Sequence, residues 1–137
     1  MSRTVIRGWA VGFVLVLVGF AAGAQDAAPI VVTAADLSKA FATDPAGAKK
    51  KYHDKAVRVD GVVVKAGTAD LMTTVVLQGA AKKGGGKHII ECQFEFTAKD
   101  EVGRLKAGDK VTIDGHCIAP ANDNPDRLQL ITSKLVK

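Results

Sequence analysis

A long alternating segment, residues 56–64, places the strongest constraint on the fold of this chain. Every second residue from Val57 to Val63 points to one face of an extended strand, while Val62 and Val64 add apolar groups to the other face. The strand therefore becomes buried on both sides. Gly61, in its middle, tolerates the bulge or bend that the closure of a small barrel needs.

Four further segments predict strands: residues 71–77, 88–96, 109–118 and a last one carrying Leu128, Leu130 and Leu135. In the third of the five strands, the inward face carries Ile90, Cys92, Phe94 and Phe96. Polar residues alternate with them. One face of this strand therefore packs in the core, and the other is exposed to solvent.

Three helix starts can be identified from their capping residues. Thr33 and Asp36 form a capping-box pattern, Asp44-Pro45 begins a second short helix, and Thr97 to Asp100 repeats the capping box. The third helix falls between the third and fourth strands. The resulting fold class is mainly β with α: a five-stranded Greek-key OB-fold barrel, preceded by a short helix pair.

The N-terminal residues 1–24 have the three parts of a secretory signal peptide: Arg3 and Arg7, an uncharged apolar stretch, and small residues before a cleavage site after Ala24. The alternative is a membrane anchor, but the apolar run is shorter than the roughly 20 residues that span a bilayer. The sequence therefore predicts an exported protein, periplasmic or secreted. Residues 25–32 are a flexible lead-in, and residues 33–137 are one domain.

The net charge of the chain is +5, and removal of the two signal-peptide arginines lowers it further. This excess is weaker than the basic footprint of a dedicated nucleic-acid binder. Lys49, Lys50 and Lys51 are interpreted as a solvated helix face near a C-terminus. The charge alone therefore identifies no partner.

Cys92 and Cys117 both fall on inward strand faces, and an exported pair is permitted to form a disulfide worth roughly 3 kcal/mol. The alternative is two buried free thiols that act as small apolar fillers. The disulfide is the preferred prediction.

The sequence contains no motif for catalysis or for a cofactor. The glycine- and lysine-rich loop of residues 80–87 departs from a Walker loop at Ala81 and His88 and is read as a hairpin tip. Glu91 and Glu95 lie about 13 Å apart along a strand, too far for a paired acid and base. His116 and Cys117 are neighbours on a strand and point to opposite faces, so we expect no metal site. Because the sequence has no catalytic or cofactor motif, we also expect no cofactor and no enzymatic activity.

Three stretches of core and turn residues resemble a known family. They are the pattern from Leu37 to Val63, the pair Cys92 and Phe94, and the pattern from Leu105 to Cys117. Together they are similar to the tRNA-anticodon-binding-like OB-fold family of exported bacterial proteins. The resemblance implies a barrel and a nucleic-acid ancestry by analogy of fold, and it carries over no catalytic residues.

Two functions remain open. The first is a non-catalytic binding module for an oligosaccharide, peptide or nucleic acid, with its ligand on the barrel face between the turns at residues 66–69 and 122–126. An anionic ligand would meet the candidate residues Arg58, Lys65, Lys82, Lys83 and Lys87. The second is a structural or assembly protein of the envelope that docks on another exported protein.

Overall fold

The computed structural model describes residues 28–120 and 126–137. The predicted signal peptide, its cleavage site after Ala24 and most of the predicted turn at residues 122–126 lie outside the described residues. Within the described ranges, no helix is both long enough and apolar enough to cross a membrane.

Six strands and three short helices form the described fold. The strands are β1 (Ile30–Thr33), β2 (Lys55–Ala69), β3 (Met72–Ala81), β4 (Lys87–Phe94), β5 (Lys110–Ile118) and β6 (Arg127–Leu135). The helices are α1 (Ala34–Thr43), α2 (Pro45–Tyr52) and α3 (Lys99–Val102), with a 3₁₀ turn at Phe96–Ala98 directly before α3. The fold is mainly β with a few helices, as the sequence predicts.

The strands form one sheet in the order β1-β2-β3-β4-β6-β5, and β2 also pairs with β5. This additional pairing links five strands, β2 to β6, in a ring, with β1 added outside it. The predicted count of five strands is therefore wrong by one. The additional strand also shortens the predicted lead-in, because β1 pairs in parallel with β2 from Ile30 opposite Val57 to Thr33 opposite Asp60. Its apolar β-branched residues supply a short strand next to the first capping box.

The long strand β2 changes partner half-way. Its first half pairs with β5, and its second half pairs with β3 from Val63 onward. The irregularity in this ladder lies between Val63 and Lys65, beyond the glycine that the sequence singles out. Gly61 is instead closely packed: a Cβ there would lie 3.0 Å from Cβ of Ala34 and 3.1 Å from Cδ1 of Leu77, so a side chain would force these neighbours to move by a few tenths of an ångström.

The core lies inside the ring and beneath α1. The alternation of β3 and β4 is regular, with buried residues at every second position, whereas β6 buries Leu128 and Leu130 and then shifts to Ser133. Leu37 and Phe41 of α1 are buried, and the Phe41 ring lies 6.2 Å from that of Tyr52 at the end of α2. The helix pair therefore extends the core outside the ring.

The helix starts follow the sequence at two of the three predicted places. The backbone N–H of Asp36 donates to Thr33 Oγ1, and that of Gly47 donates to Asp44 Oδ1. The third start differs, because the chain enters its 3₁₀ turn at Phe96, before Thr97 can take the capping position. Phe96, which alternation predicts to face inward, is 44 % exposed.

The predicted disulfide between Cys92 and Cys117 is not present, and both cysteines are free and buried. The ladder gives the reason: Cys92 of β4 and Cys117 of β5 each pair with Leu130 of β6, which lies between them. Two strand spacings separate their Cα atoms by about 9–10 Å, whereas a disulfide needs less than about 7 Å. The alternative prediction, two buried thiols, describes the structure.

Candidate functional site

A groove of about 530 Å³ lies on the outer face of β2, β3 and β4. The ladder builds this face, because Lys65 pairs with Val76 and Val76 pairs with Glu91 in the next strand. Small residues line the hairpin side, so the backbone is accessible there. The lining residues are Lys65, Gly67, Thr68, Ala69, Met72, Thr74, Val76 and Glu91.

The groove combines one cation, one anion and a neutral floor. Lys65 of β2 is exposed, and Glu91 of β4, which is separated from β2 by β3, is half-buried. Among the described residues, neither side chain takes part in an ion pair. Both charged groups are therefore available to a ligand, and Thr74, two residues before Val76 on β3, adds a hydroxyl to the groove.

The turn that joins β2 to β3 closes one end of the groove. The sequence places this turn at residues 66–69, but these residues belong to β2, and the turn is formed by Asp70 and Leu71. Both have positive φ angles, 48° and 68°, as a two-residue turn between twisted strands requires. Leu71 is 77 % exposed and Met72 49 % exposed, so the tip of the hairpin presents two apolar side chains beside the exposed Asp70.

The structure brings only one of the five predicted cations to the groove. Lys65 lines it, whereas Arg58 lies seven residues earlier on β2, about 23 Å away along the strand. There Arg58 donates two hydrogen bonds to Asp114 of β5, at 2.7 and 2.8 Å. These bonds hold the pKa of Asp114 below its ordinary value and raise that of Arg58.

The other three cations lie around the loop between β3 and β4. Lys82 Nζ is 3.1 Å from Asp126 Oδ1, which is also 3.1 Å from Nδ1 of the buried His88. The imidazole contact lies within ion-pair range but is not aligned as a hydrogen bond. Lys83 and Lys87 are exposed. This loop is therefore tied to the start of β6, and it lies at the opposite end of β3 from the hairpin tip.

In two larger depressions some of the charged groups are already paired, whereas neither charged group of the groove takes part in an ion pair within the described chain. One, of about 630 Å³, includes Asp60, which accepts from Thr112, and Glu101, which contacts Lys137. The other, of about 790 Å³, includes Asp114, which is bound to Arg58, and it borders the first described residues. The groove therefore remains the better candidate.

Aromatic rings contribute little to the described surface. Phe41, Tyr52 and Phe94 are buried, and the exposed Phe96 carries Lys99 Nζ at 5.0 Å from its ring centre. None of these rings lines the groove. A series of stacked bases, the usual mode of single-strand binding, has no platform in the groove.

Within residues 28–120 and 126–137, no three His, Cys, Asp or Glu side chains converge on a point where a metal ion could bind. His53 Nδ1 accepts a hydrogen bond from the backbone of Ala119, which leaves it a structural role. Burial raises the pKa of Cys117 to about 12 and that of Cys92 still further. Both thiols are therefore poor nucleophiles.

Comparison with known proteins identifies the family. A family model described as tRNA_anti-like matches residues 11–125. The chain belongs to the tRNA_anti-like family. This result agrees with the resemblance seen in the sequence. No curated protein matches the chain.

Solved structures similar to this tRNA_anti-like chain show the same fold. A lipoprotein from Klebsiella pneumoniae, described as a candidate nucleic acid-binding protein, has a TM-score of 0.59 and 22% identity, covering 78% of this chain and 92% of the other. A candidate aspartyl-tRNA synthetase from Leishmania major has a TM-score of 0.50 and 13% identity, covering 81% of this chain and 21% of the other. At these identities, the likeness concerns the fold alone.

The groove residues were only partly visible in the sequence. Lys65 was a candidate and Glu91 was recognised as outward-facing, but Thr74 and Val76 were not singled out. Alternation along β3 was the available signal, because the residues between the buried ones must face outward.

Proposed function

We propose that this tRNA_anti-like protein is an exported, non-catalytic OB-fold binding module that binds its ligand in the groove on the outer face of β2, β3 and β4. The observation that carries the proposal is the groove itself. It lies on the strand face that OB-folds use for oligonucleotides and oligosaccharides, and its two charged groups have no partner in the described chain.

The groove's chemistry favours an extended peptide or an oligosaccharide over a polyanion. Lys65 and Glu91 carry opposite charges, and Gly67 and Ala69 leave backbone groups accessible. A polyanion would meet Glu91 as well as Lys65, and it would find no ring on which to stack bases. The family and the Klebsiella lipoprotein suggest nucleic acid as a ligand, and it is therefore included as one arm of the test.

Export rests on the predicted signal peptide and is supported by the lipoprotein among the structural neighbours. Mass spectrometry of the protein recovered from the envelope or the medium tests it, with Gln25 as the expected first residue. The absence of catalysis is supported by the high pKa of both thiols.

The binding experiment uses the protein recovered from an exporting host. Labelled peptides, neutral oligosaccharides, acidic polysaccharide and single-stranded oligonucleotides are titrated at low and at high salt. We expect saturable binding of a peptide or a neutral oligosaccharide that changes little with salt. Binding restricted to polyanions, falling steeply with salt, would instead identify the lysines of the β3–β4 loop as the site.

A charge reversal in the groove locates the site. Lys65→Glu gives the groove two negative charges, whereas Lys50→Glu makes the same change in charge on the exposed face of α2. We expect Lys65→Glu to weaken binding by roughly tenfold and Lys50→Glu to leave it unchanged. Equal effects of the two variants would contradict the groove as the site.

A structural or assembly role in the envelope remains the second candidate, with another exported protein as partner. The two apolar side chains at the tip of the hairpin favour it, as does Val31 of β1, which is 67 % exposed. Cross-linking from a photoreactive residue at Leu71 in the exporting host tests it. A single cross-linked protein that disappears when Val31→Asp is added would support this role.

A further inference from the structure

The second half of β2 has a free edge. Val63 is the last residue bonded on the β5 side: its N–H donates to Asp109 O, and its carbonyl accepts from Gly108, both at 2.8 Å. Beyond Val63, β3 is the only strand that pairs with β2 in the part of the chain that the structure describes. Residues 64–69 therefore present one unpaired side, about 20 Å long.

The turn identifies the backbone groups on that side. Residues that flank a two-residue turn bond to each other, so the groups of Ala69 point to β3. Because the direction of the backbone groups alternates along a strand, the N–H and carbonyl groups of Gly67 and Lys65 point to β3. Those of Ala66 and Thr68 point to the free side. These two residues each present an N–H and a carbonyl to an incoming strand.

We propose that two copies of this protein pair antiparallel through the free edge of β2, forming a sheet that continues from β3 of one copy to β3 of the other. This proposal does not depend on which ligand the groove binds, but the two surfaces share Lys65, so Thr68→Pro and the charge exchange with Asp70 are the variants that test the edge alone. It follows the rule that exposed, unpaired strand edges template further pairing.

Charge complementarity favours a second copy as the occupant. Lys65 and Asp70 are both exposed and form no ion pair within the described residues. Their midpoint falls between Gly67 and Thr68, the centre of the edge. Antiparallel self-pairing about this centre therefore brings Lys65 of each copy to within one residue of Asp70 of the other.

The apolar groups near the edge fit the same arrangement. Val64, Leu71 and Met72 are 44 %, 77 % and 49 % exposed. Because Val64 lies at one end of the edge and Leu71 lies in the turn just beyond the other end, an antiparallel partner brings its own Leu71 towards Val64. Residues 64–69 contain no proline, and their one charged residue, Lys65, gains a partner instead of opposing association.

The test measures the mass of the protein by sedimentation velocity from low micromolar concentrations upward. The protein is expressed from the full-length gene and purified from an exporting host. We expect a reversible monomer–dimer equilibrium. Thr68→Pro removes the N–H on the free side and keeps the ladder to β3, so it should raise the dimer dissociation constant at least about tenfold.

Two controls separate the edge from general effects on folding. Thr68→Ala loses only the hydroxyl contact with Thr73 Oγ1 and should dimerise like the parent, while circular dichroism verifies that the proline variant is folded. Lys65→Glu should weaken the dimer, and the double variant Lys65→Glu with Asp70→Lys should restore it. A monomer at all concentrations, an unaffected proline variant, or a failed rescue by the charge exchange would overturn the proposal.

Discussion

At the residue level, Ser38 has a role that the sequence does not reveal. It lies in α1 and is 1% exposed, and its Oγ donates to Ala34 O and accepts from the N–H of Ala80 at 2.7 Å. Ala80 falls in the irregular part of the β3–β4 ladder, between Gln78 and Ala81. The hydroxyl thus replaces a missing strand partner.

Removing that hydroxyl leaves the Ala80 N–H without its partner. We expect Ser38→Ala to lower the free energy of unfolding by about 1–2 kcal/mol, measured by urea denaturation. Thr43→Ala, at the exposed end of the same helix, should change it by less than about 0.5 kcal/mol. Equal losses in the two variants would mean that Ser38 contributes only through its helix.

The cysteines illustrate the limit of prediction at the same scale. Alternation correctly places Cys92 and Cys117 on inward faces, and both are fully buried. The sequence cannot reveal that β6 lies between their strands, because that depends on the order of strands in the sheet. The burial of each cysteine could therefore be predicted from the sequence around it, whereas the distance between the two cysteines could not.

At the level of elements, the start of α1 offers a direct comparison. The capping box predicts two reciprocal bonds, and the structure shows one of them, from the Asp36 N–H to Thr33 Oγ1 at 3.1 Å. Thr33 also ends β1, so its own backbone belongs to the strand ladder opposite Asp60. The cap therefore depends on the Thr33 hydroxyl.

We expect Thr33→Ala to destabilise the protein by about 1 kcal/mol in thermal or urea unfolding. Asp36→Ala keeps the N–H that donates to Thr33 and loses only a favourable charge near the helix N-terminus, so its cost should be about 0.5 kcal/mol. Thr33→Ser keeps the hydroxyl and serves as the control. A larger loss for Asp36→Ala than for Thr33→Ala would support the full capping box.

The elements themselves were predicted to different extents. The alternation of apolar residues predicted the five ring strands, and the capping residues predicted the two N-terminal helices, because both signals are local. The short strand β1 was assigned to the lead-in, since four residues carry too little alternation. The turn at Asp70–Leu71 was missed because Gly67 and Thr68 resemble turn residues more closely than Leu71 does.

At the level of the whole molecule, the family and the coarse fold could be predicted, but the candidate site could be predicted only in part. The five candidate cations were chosen by charge, and the closed ring distributes them over the β2–β5 face, the groove and the β3–β4 loop. Which outward residues become neighbours depends on the register between strands. That register includes the irregularities near Val64 and Ala80, which have no signal in a single sequence.

The stability of the whole molecule should decline in alkaline solution because of the two thiols. Burial raises the pKa of Cys117 to about 12 and that of Cys92 further, while an unfolded thiol titrates near pH 8.5. Above about pH 8.5 the unfolded chain therefore loses protons that the native state retains. Each thiol then lowers the free energy of unfolding by about 1.4 kcal/mol per pH unit. The stability that comes from burying a protonated thiol is fully present only below about pH 8.5.

Urea unfolding at a series of pH values from neutral to about pH 10 measures this decline. The double variant Cys92→Ala with Cys117→Ala is the control, since it retains every other ionisable group of the protein. We expect its stability to be lower at neutral pH and to fall less steeply with rising pH. Parallel curves for the two proteins would mean that the thiols reach solvent in the native state, contrary to their position inside the ring.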